Sequence, residues 1–292
     1  MGICTDRSVI ITGAGGGLGR AHALALAAEG ASVLVNDINR DAAAAVVAEI
    51  DAAGGRAIAN SDDITSMTGA HAIVEAAATS FGDVHAVVNN AGVLRDRMFA
   101  SLSEEDWDLV IKVHLKGHFC ITSTLVQRWR AQVKENGQKV DARIINTTSG
   151  AGLQGSIGQS NYAAAKGGIV TLTLVQAAEL GRYGITANAL APAARTAMTE
   201  TVFADVMKKP DDGFDHFAPE NVSPLVVWLC SAQSAGVSGR VFEADGGRIS
   251  VADGWRTGPA RDKGARWAPD EVGAAVEQIL AEATPPQKVY GS

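Results

Sequence analysis

Short apolar runs and longer apolar stretches at helical spacing alternate along most of this chain. RSVIIT (7–12), SVLVND (32–37), RAIA (56–59), VHAVVN (84–89), ARIINTT (142–148), ITANAL (185–190) and RVFEA (near 239–243) are short and rich in β-branched or small apolar residues, and they predict buried strands. The stretches between them predict helices from a glycine turn to about Gly30, over 41–54, 69–80 and 103–131, from Asn161 into Val175, and near 222–232. Ser103 followed by Glu104, Glu105 and Asp106 reads as a helix cap with acids in the first turn. Strand and helix in strict alternation imply a parallel sheet with right-handed crossovers, whose ligand crevice lies at the carboxyl ends of the strands.

The candidate chemistry falls at those ends. After Thr12 the chain reads GAGGGLG and opens a helix. Gly13, Gly17 and Gly19 fit GxxxGxG, whereas position 18, where GxGxxG would need glycine, is Leu18. Glycines let a backbone approach a phosphate, and a helix N-terminus adds unpaired N–H groups. Asp37 closes the second strand and is placed to accept hydrogen bonds from ribose hydroxyls. Its charge would repel a 2′-phosphate, so the expected cofactor is NAD, with NADP disfavoured. Arg40 is read as a solvated residue opening the next helix. Asp63 and Ile64, after the third strand, are counted with the cofactor contacts, although an aspartate there also serves as a helix cap. Asn90, Ala91 and Gly92, in NNAG, sit where the fourth strand meets the same crevice.

The fifth strand delivers Ser149, with Tyr162 thirteen residues on and Lys166 four beyond that. On a helix, Tyr162 and Lys166 share a face, and an ammonium there favours phenolate and lowers the tyrosine pKa. Such a tyrosine exchanges protons with an alcohol or carbonyl near neutral pH, and Ser149 could bond the same oxygen. Taken alone the spacing is weak, because Tyr and Lys meet at this interval on many solvated helices.

Composition narrows the classes. The chain has 292 residues, 47% apolar and 20% charged, ordinary for a globular core, and its net charge of −7 gives no case for nucleic-acid binding. Cys4, Cys120 and Cys230 are widely spaced, which argues against a disulfide framework or a metal site and fits a reducing, cytoplasmic location. No signal peptide is visible, the first apolar run breaks into glycines too soon to span a membrane, and no repeat is found.

TGAGGGLG, NNAG and the ordered Ser149, Tyr162 and Lys166 together resemble the short-chain dehydrogenase/reductase family over residues 7 to about 247. The resemblance implies a Rossmann-type doubly wound α/β fold of about seven parallel strands, a single domain (1–247) plus a C-terminal extension (248–292) with one helix, 269–282. Tyr162 is then the general acid/base, Lys166 tunes it and holds the nicotinamide ribose, and Ser149 orients the substrate oxygen. AGVLRDRMF, SEEDWDLVIKVHLKGHF, GQSNYAAAK and SPLVVWLC look like the (3R)-hydroxyacyl-CoA dehydrogenase subgroup, as in the peroxisomal multifunctional enzyme type 2 (17β-hydroxysteroid dehydrogenase type 4) and actinobacterial relatives.

That implies hydride transfer between NAD and a secondary alcohol or ketone on a small-molecule substrate, an acyl-CoA or steroid-like compound, in fatty-acid or sterol side-chain breakdown. The alternatives are an NADPH-dependent 3-oxoacyl reductase, a hydroxysteroid or other alcohol dehydrogenase, and, remotely, a non-catalytic cofactor-sensing scaffold. His114 stands where the broader family often has an asparagine that completes a proton relay; the histidine either serves that relay or packs the helix. Pro192 and Thr196 follow the sixth strand, Thr196 as the expected contact to the nicotinamide amide, and Gln159 borders the substrate side. Arg95, Arg97, Lys208 and Lys209 could meet CoA phosphates, although a solvated surface is their commoner role. Residues of about 198–222 read as a substrate lid. Surplus apolar positions on the 106–129 and 162–180 helices imply a homodimer or homotetramer.

Overall fold

A computed structural model describes residues 2–196 and 207–292. Eight strands form one sheet: β1 (Ser8–Thr12), β2 (Ser32–Asn36), β3 (Arg56–Asn60), β4 (Ala86–Asn89), β5 (Ala142–Thr147), β6 (Ile185–Ala193), β7 (Val241–Asp245) and β8 (Arg248–Val251). Their order is β3-β2-β1-β4-β5-β6-β7-β8, and every pairing is parallel except β7–β8. The order reverses between β1 and β4, which opens the crevice at the carboxyl ends of the strands. The doubly wound α/β sheet expected from the alternation is present, with one strand more. RISV is polar, exposed and short, so its apolar pattern is too weak to mark a strand; the turn at Gly246-Gly247 folds it onto β7. The boundary expected at 247 falls inside this hairpin.

The period-2 pleat sorts the core. Val9, Ile11, Val33, Val35, Val88 and Ile145 face one layer, and Ile10, Leu34, Val87 and Ile144 the other. The first layer is covered by α1 (Gly17–Ala28), α2 (Arg40–Ala52) and the helix Ser223–Cys230. The second is covered by α3 (Met67–Phe81) and the long helical run after β4. Arg40 is the exposed first residue of α2, which Asn39 caps by accepting from the Ala42 N–H at 3.2 Å.

The long run begins at α4 (Glu104–Ile111), where Ser103 accepts from the Asp106 N–H at 3.1 Å. It passes through one π-helical turn, Lys112–Lys116, and continues as α5 (Gly117–Asn136). It outlasts the expected end near residue 131, because the polar final turn still folds as helix and Gly137, at φ 68°, stops it. Two helices follow β5: the short α6 (Gly150–Gln154) and α7 (Ser160–Leu180). The chain then adds α8 (Ser223–Cys230) and α9 (Pro269–Glu282). Pro269 and the Glu271 carboxylate, which accepts from the Ala268 N–H at 2.8 Å, start α9. Among the described residues, no helix is long and apolar enough to cross a membrane.

Candidate active site

The glycine turn is tied to the strand beside it. Thr12 Oγ1 accepts from the N–H groups of Asn90 (3.0 Å) and Ala91 (3.2 Å), and Asn90 Nδ2 returns bonds to the carbonyls of Thr12 and Gly13, both at 3.1 Å. Gly13 adopts φ +63°, and a Cβ there would stand 2.6 Å from Ala91 Cα; only glycine fits so close an approach. Asp37, just past β2, turns back to the same loop: Oδ2 accepts from the Gly15 N–H (3.0 Å) and Oδ1 from Asn39 (2.9 Å). Each carboxylate oxygen keeps a lone pair for a ribose hydroxyl. Open space over Gly16, the N-terminus of α1 and this acidic end suit a dinucleotide.

The catalytic candidates lie across the cleft. Ser149 lies two residues past β5 and caps α6, accepting from the Ala151 N–H at 3.2 Å. Its side chain also bonds Tyr162. Lys166 is buried, with Nζ donating to the Thr147 carbonyl at 2.6 Å and lying 5.6 Å from the Tyr162 ring centroid. Thr148 Oγ1 donates to the Lys166 carbonyl at 2.7 Å, locking α7 to the strand end. Burial pushes the Lys166 ammonium down to about 7.

One expectation is corrected. The Tyr162 phenol is raised rather than lowered: burial dominates, the Ser149 bond opposes it, and the negative charge of Asp96 adds to the rise. Lys166 donates to the Thr147 carbonyl, and its Nζ stands 5.6 Å from the centre of the tyrosine ring.

His114 lies in the π-helical turn, its ring edge-on to Tyr162. Nε2 lies 2.8 Å from the Val93 carbonyl oxygen and 3.0 Å from the Val93 nitrogen, and burial first, then the Lys166 charge, holds the imidazole down to about 3. Below the site runs a buried amide network. Asn89 Nδ2 donates to Thr122 Oγ1 and Asn146 Oδ1, and Asn146 Nδ2 to Thr173 Oγ1 and Gln176 Oε1, at 2.8 to 2.9 Å. It fixes β4, β5, α5 and α7 to one another.

Gly13, Gly17, Leu18, Asp37, Asn90, Ala91, Gly92, His114, Ser149, Gln159, Tyr162, Lys166, Pro192 and Thr196 line one cavity of about 380 Å³. Three expected residues do not. A Cβ on Gly19 would stand 2.2 Å from the Gly13 carbonyl oxygen, so this glycine serves the packing of the turn. The Asp63 carboxylate accepts from the N–H and hydroxyl of Thr65, both at 2.8 Å, the local role an aspartate has before a helix. Ile64 is buried against Gly117.

Gly16, Leu94, Thr147, Thr148 and Ala194 also line the cavity, unmarked by any motif except the glycine run and the strand that delivers Ser149. Arg95 pairs with Asp106 at 3.6 Å, and Arg97, Lys208 and Lys209 are exposed. Of the stretch read as a lid, residues 198–206 lie outside the described residues. Its remainder is held by Arg195, which donates to the Met207 carbonyl at 2.7 Å and to the Asp215 carboxylate, and by His216, 2.7 Å from Asp245. The chain's last residues return to the site: Ile157 N–H donates to the Tyr290 carbonyl (3.0 Å) and Tyr290 N–H to that of Gly155 (3.2 Å).

Residues 7–207 match the family model described as short chain dehydrogenase. The chain belongs to the short-chain dehydrogenase family. As a member it is an oxidoreductase that uses a nicotinamide dinucleotide. It is 42% identical to the hydroxyacyl-CoA dehydrogenase ChsB1 of Mycobacterium tuberculosis, over 97% of this chain and 91% of that one. It is 41% identical to the mouse peroxisomal multifunctional enzyme type 2 over 98% of this chain, which spans 38% of that longer protein. The crystal structure of a short chain dehydrogenase from Mycobacterium avium superposes with a TM-score of 0.92 at 55% identity, covering all of both chains.

Proposed function

We propose that this short-chain dehydrogenase interconverts the alcohol and ketone of a 3-hydroxyacyl-CoA, using NAD. The observation that carries the reading is the placement of Ser149, Tyr162 and Lys166 on one cavity with Asp37 at its nucleotide end and Gln159 at the other. The substrate class is supported by the names of the mycobacterial and mouse relatives. NAD, when bound, supplies the hydride acceptor and a positive ring charge. The preference for NAD over NADP is supported by the Asp37 carboxylate, which a 2′-phosphate would have to approach.

In the oxidation direction Tyr162 takes the hydroxyl proton and Ser149 donates a hydrogen bond to the same oxygen. Because burial raises the phenol, proton uptake by Tyr162 grows as pH rises; in reduction the protonated phenol is the donor. Lys166, held at the Thr147 carbonyl, fixes the tyrosine's turn of α7 and is the candidate to hold the nicotinamide ribose. Tyr162→Phe is expected to keep NAD binding and reduce turnover by several orders of magnitude. Near wild-type turnover would overturn the assignment. A panel of 3-hydroxyacyl-CoA thioesters against free secondary alcohols tests the substrate class; preference for a steroid alcohol or for NADPH and a 3-oxoacyl thioester would replace it.

A homodimer or homotetramer is supported by Phe119, Leu174 and Val175, exposed on α5 and α7; a monomer in light scattering would contradict it. Residues around 198–222 are read as the lid of the substrate side, 248–292 as an extension of the catalytic unit, and the location as cytoplasmic.

A further inference from the structure

The loop after β4 carries a carboxylate that the chemistry above does not use. Asp96 Oδ2 accepts from Gln159 Nε2 at 2.8 Å. The main chain joins the same two segments: Arg97 N–H donates to the Gly158 carbonyl at 2.8 Å, and Arg97 pairs with Gln159 in a parallel bridge. Two residues on, the buried Asn161 donates to the carbonyls of Arg95 (3.1 Å) and Asp106 (3.3 Å), and its own oxygen accepts from the Tyr162 N–H at 2.8 Å. The stretch 95–97 therefore clamps the backbone that leads into Tyr162. Asp96 Oδ1 is buried and has no partner.

A carboxylate can only accept, so the Gln159 nitrogen faces Asp96 and the amide oxygen is left for the cavity that Gln159 lines. We propose that Asp96 is a positioning residue of this site: it fixes Gln159 with the amide oxygen turned to the substrate.

The two arginines flanking Asp96 do not hold its carboxylate: Arg95 pairs with the Asp106 carboxylate, and Arg97 donates to the Asp96 main-chain carbonyl at 2.8 Å. The bond from Gln159 is the one that engages it. Gln159, with its oxygen presented, recognises a hydrogen-bond donor on the substrate.

This rests on Tyr162 as the proton-transferring group. The experiment compares wild type, Asp96→Ala, Asp96→Asn and Gln159→Leu, using the secondary alcohol that the wild type oxidises best. Asp96→Ala is expected to raise KM for the alcohol about 10-fold, the worth of one positioned hydrogen bond. NAD affinity and kcat stay within about 2-fold of wild type. Asp96→Asn, whose amide oxygen still accepts from Gln159, is expected to restore KM, a rescue that a merely structural role would not give. Gln159→Leu should raise KM likewise, which tests the proposal even if Asp96→Ala does not fold. A wild-type KM in Asp96→Ala or Gln159→Leu, or a KM in Asp96→Asn as high as in Asp96→Ala, overturns the proposal. Loss of turnover in Tyr162→Phe tests the underlying assignment separately.

Discussion

The imidazole of His114 stands edge-on to the phenol of Tyr162, with ring centroids 5.1 Å apart and planes crossed at 85°. A Cβ on Gly92 would come within 2.4 Å of His114 Cε1, so the histidine fills the space between the NNAG strand end and the tyrosine. Removing the ring opens a void in a packed position. His114→Ala is expected to lower stability by about 2–4 kcal/mol and kcat by roughly 10-fold as Tyr162 loses its lateral support. Because His114 stays neutral above about 3, His114→Asn should leave the pH profile of kcat between pH 5 and 9 superimposable on wild type. A limb that moves in that variant would show the imidazole titrating during turnover.

Lys166 carries a stability cost with a definite pH window. Its ammonium, ordinarily near 10.5, falls to about 7 by burial, so between those values the unfolded state binds more protons than the folded one. Stability therefore rises with pH across that window, and the cost is present in full below about 7. Lys166→Met should be more stable than wild type at pH 6, by on the order of a few kcal/mol, with the gap closing toward pH 10. Urea unfolding of the cofactor-free protein at the two pH values measures it; a gap that does not change with pH would sink the argument. The same variant should be inactive.

At acid pH the sign comes from buried histidines. His22 and His114 are pushed from 6.5 to about 3 by burial, so the unfolded state binds more protons between those values and stability is lost as pH falls through them. Each contributes up to about 1.4 kcal/mol per pH unit. His22 bonds Ser223 Oγ at 2.9 Å through Nδ1, and its Nε2 is buried without a partner. His22→Asn is therefore expected to flatten the acid limb of the stability curve, measured by chemical denaturation from pH 6.5 to 4. An unchanged slope would remove His22 from the account.

The chain end and the catalytic serine's neighbour share one space. A Cβ on Gly150 would stand 2.6 Å from Tyr290 Oη, while Val289 lies over Gly155. Gly150→Ala should release the terminal residues, seen as faster proteolysis near residue 285, and Tyr290→Ala in the same chain should relieve the clash. Additive effects of the two substitutions on stability would show that the contact is not made.

Asp37 offers a test of cofactor choice. Asp37→Ser removes the charge that faces a 2′-phosphate and the acceptor of the Gly15 N–H. It should narrow the NAD-over-NADP preference in kcat/KM by 10-fold or more, about 1.4 kcal/mol or above. Equal use of both cofactors by the wild type would refute the role given to Asp37.

The alternating pattern determined by itself the class of fold, the position of nearly every strand, and the strand ends where the chemistry gathers. Short β-branched runs closed by glycine or polar residues read as strands by their length and composition, and a parallel sheet puts all its carboxyl ends on one side. The Tyr162–Lys166 spacing is likewise local, because α7 alone brings residues four apart onto one face. Other features needed the tertiary structure. Asp96 and Gln159 meet across 63 residues, and the Tyr290 segment reaches Gly155 from the far end of the chain. No local pattern marks such partners, since they are chosen by the packing of the sheet and its loops. Asp63 and Gly19 fit motifs and yet serve a turn and a close approach, which only the surrounding backbone reveals. The direction in which Tyr162 shifts was also beyond the sequence: helix spacing places the ammonium nearby, whereas burial outweighs the bond from Ser149 and raises the phenol.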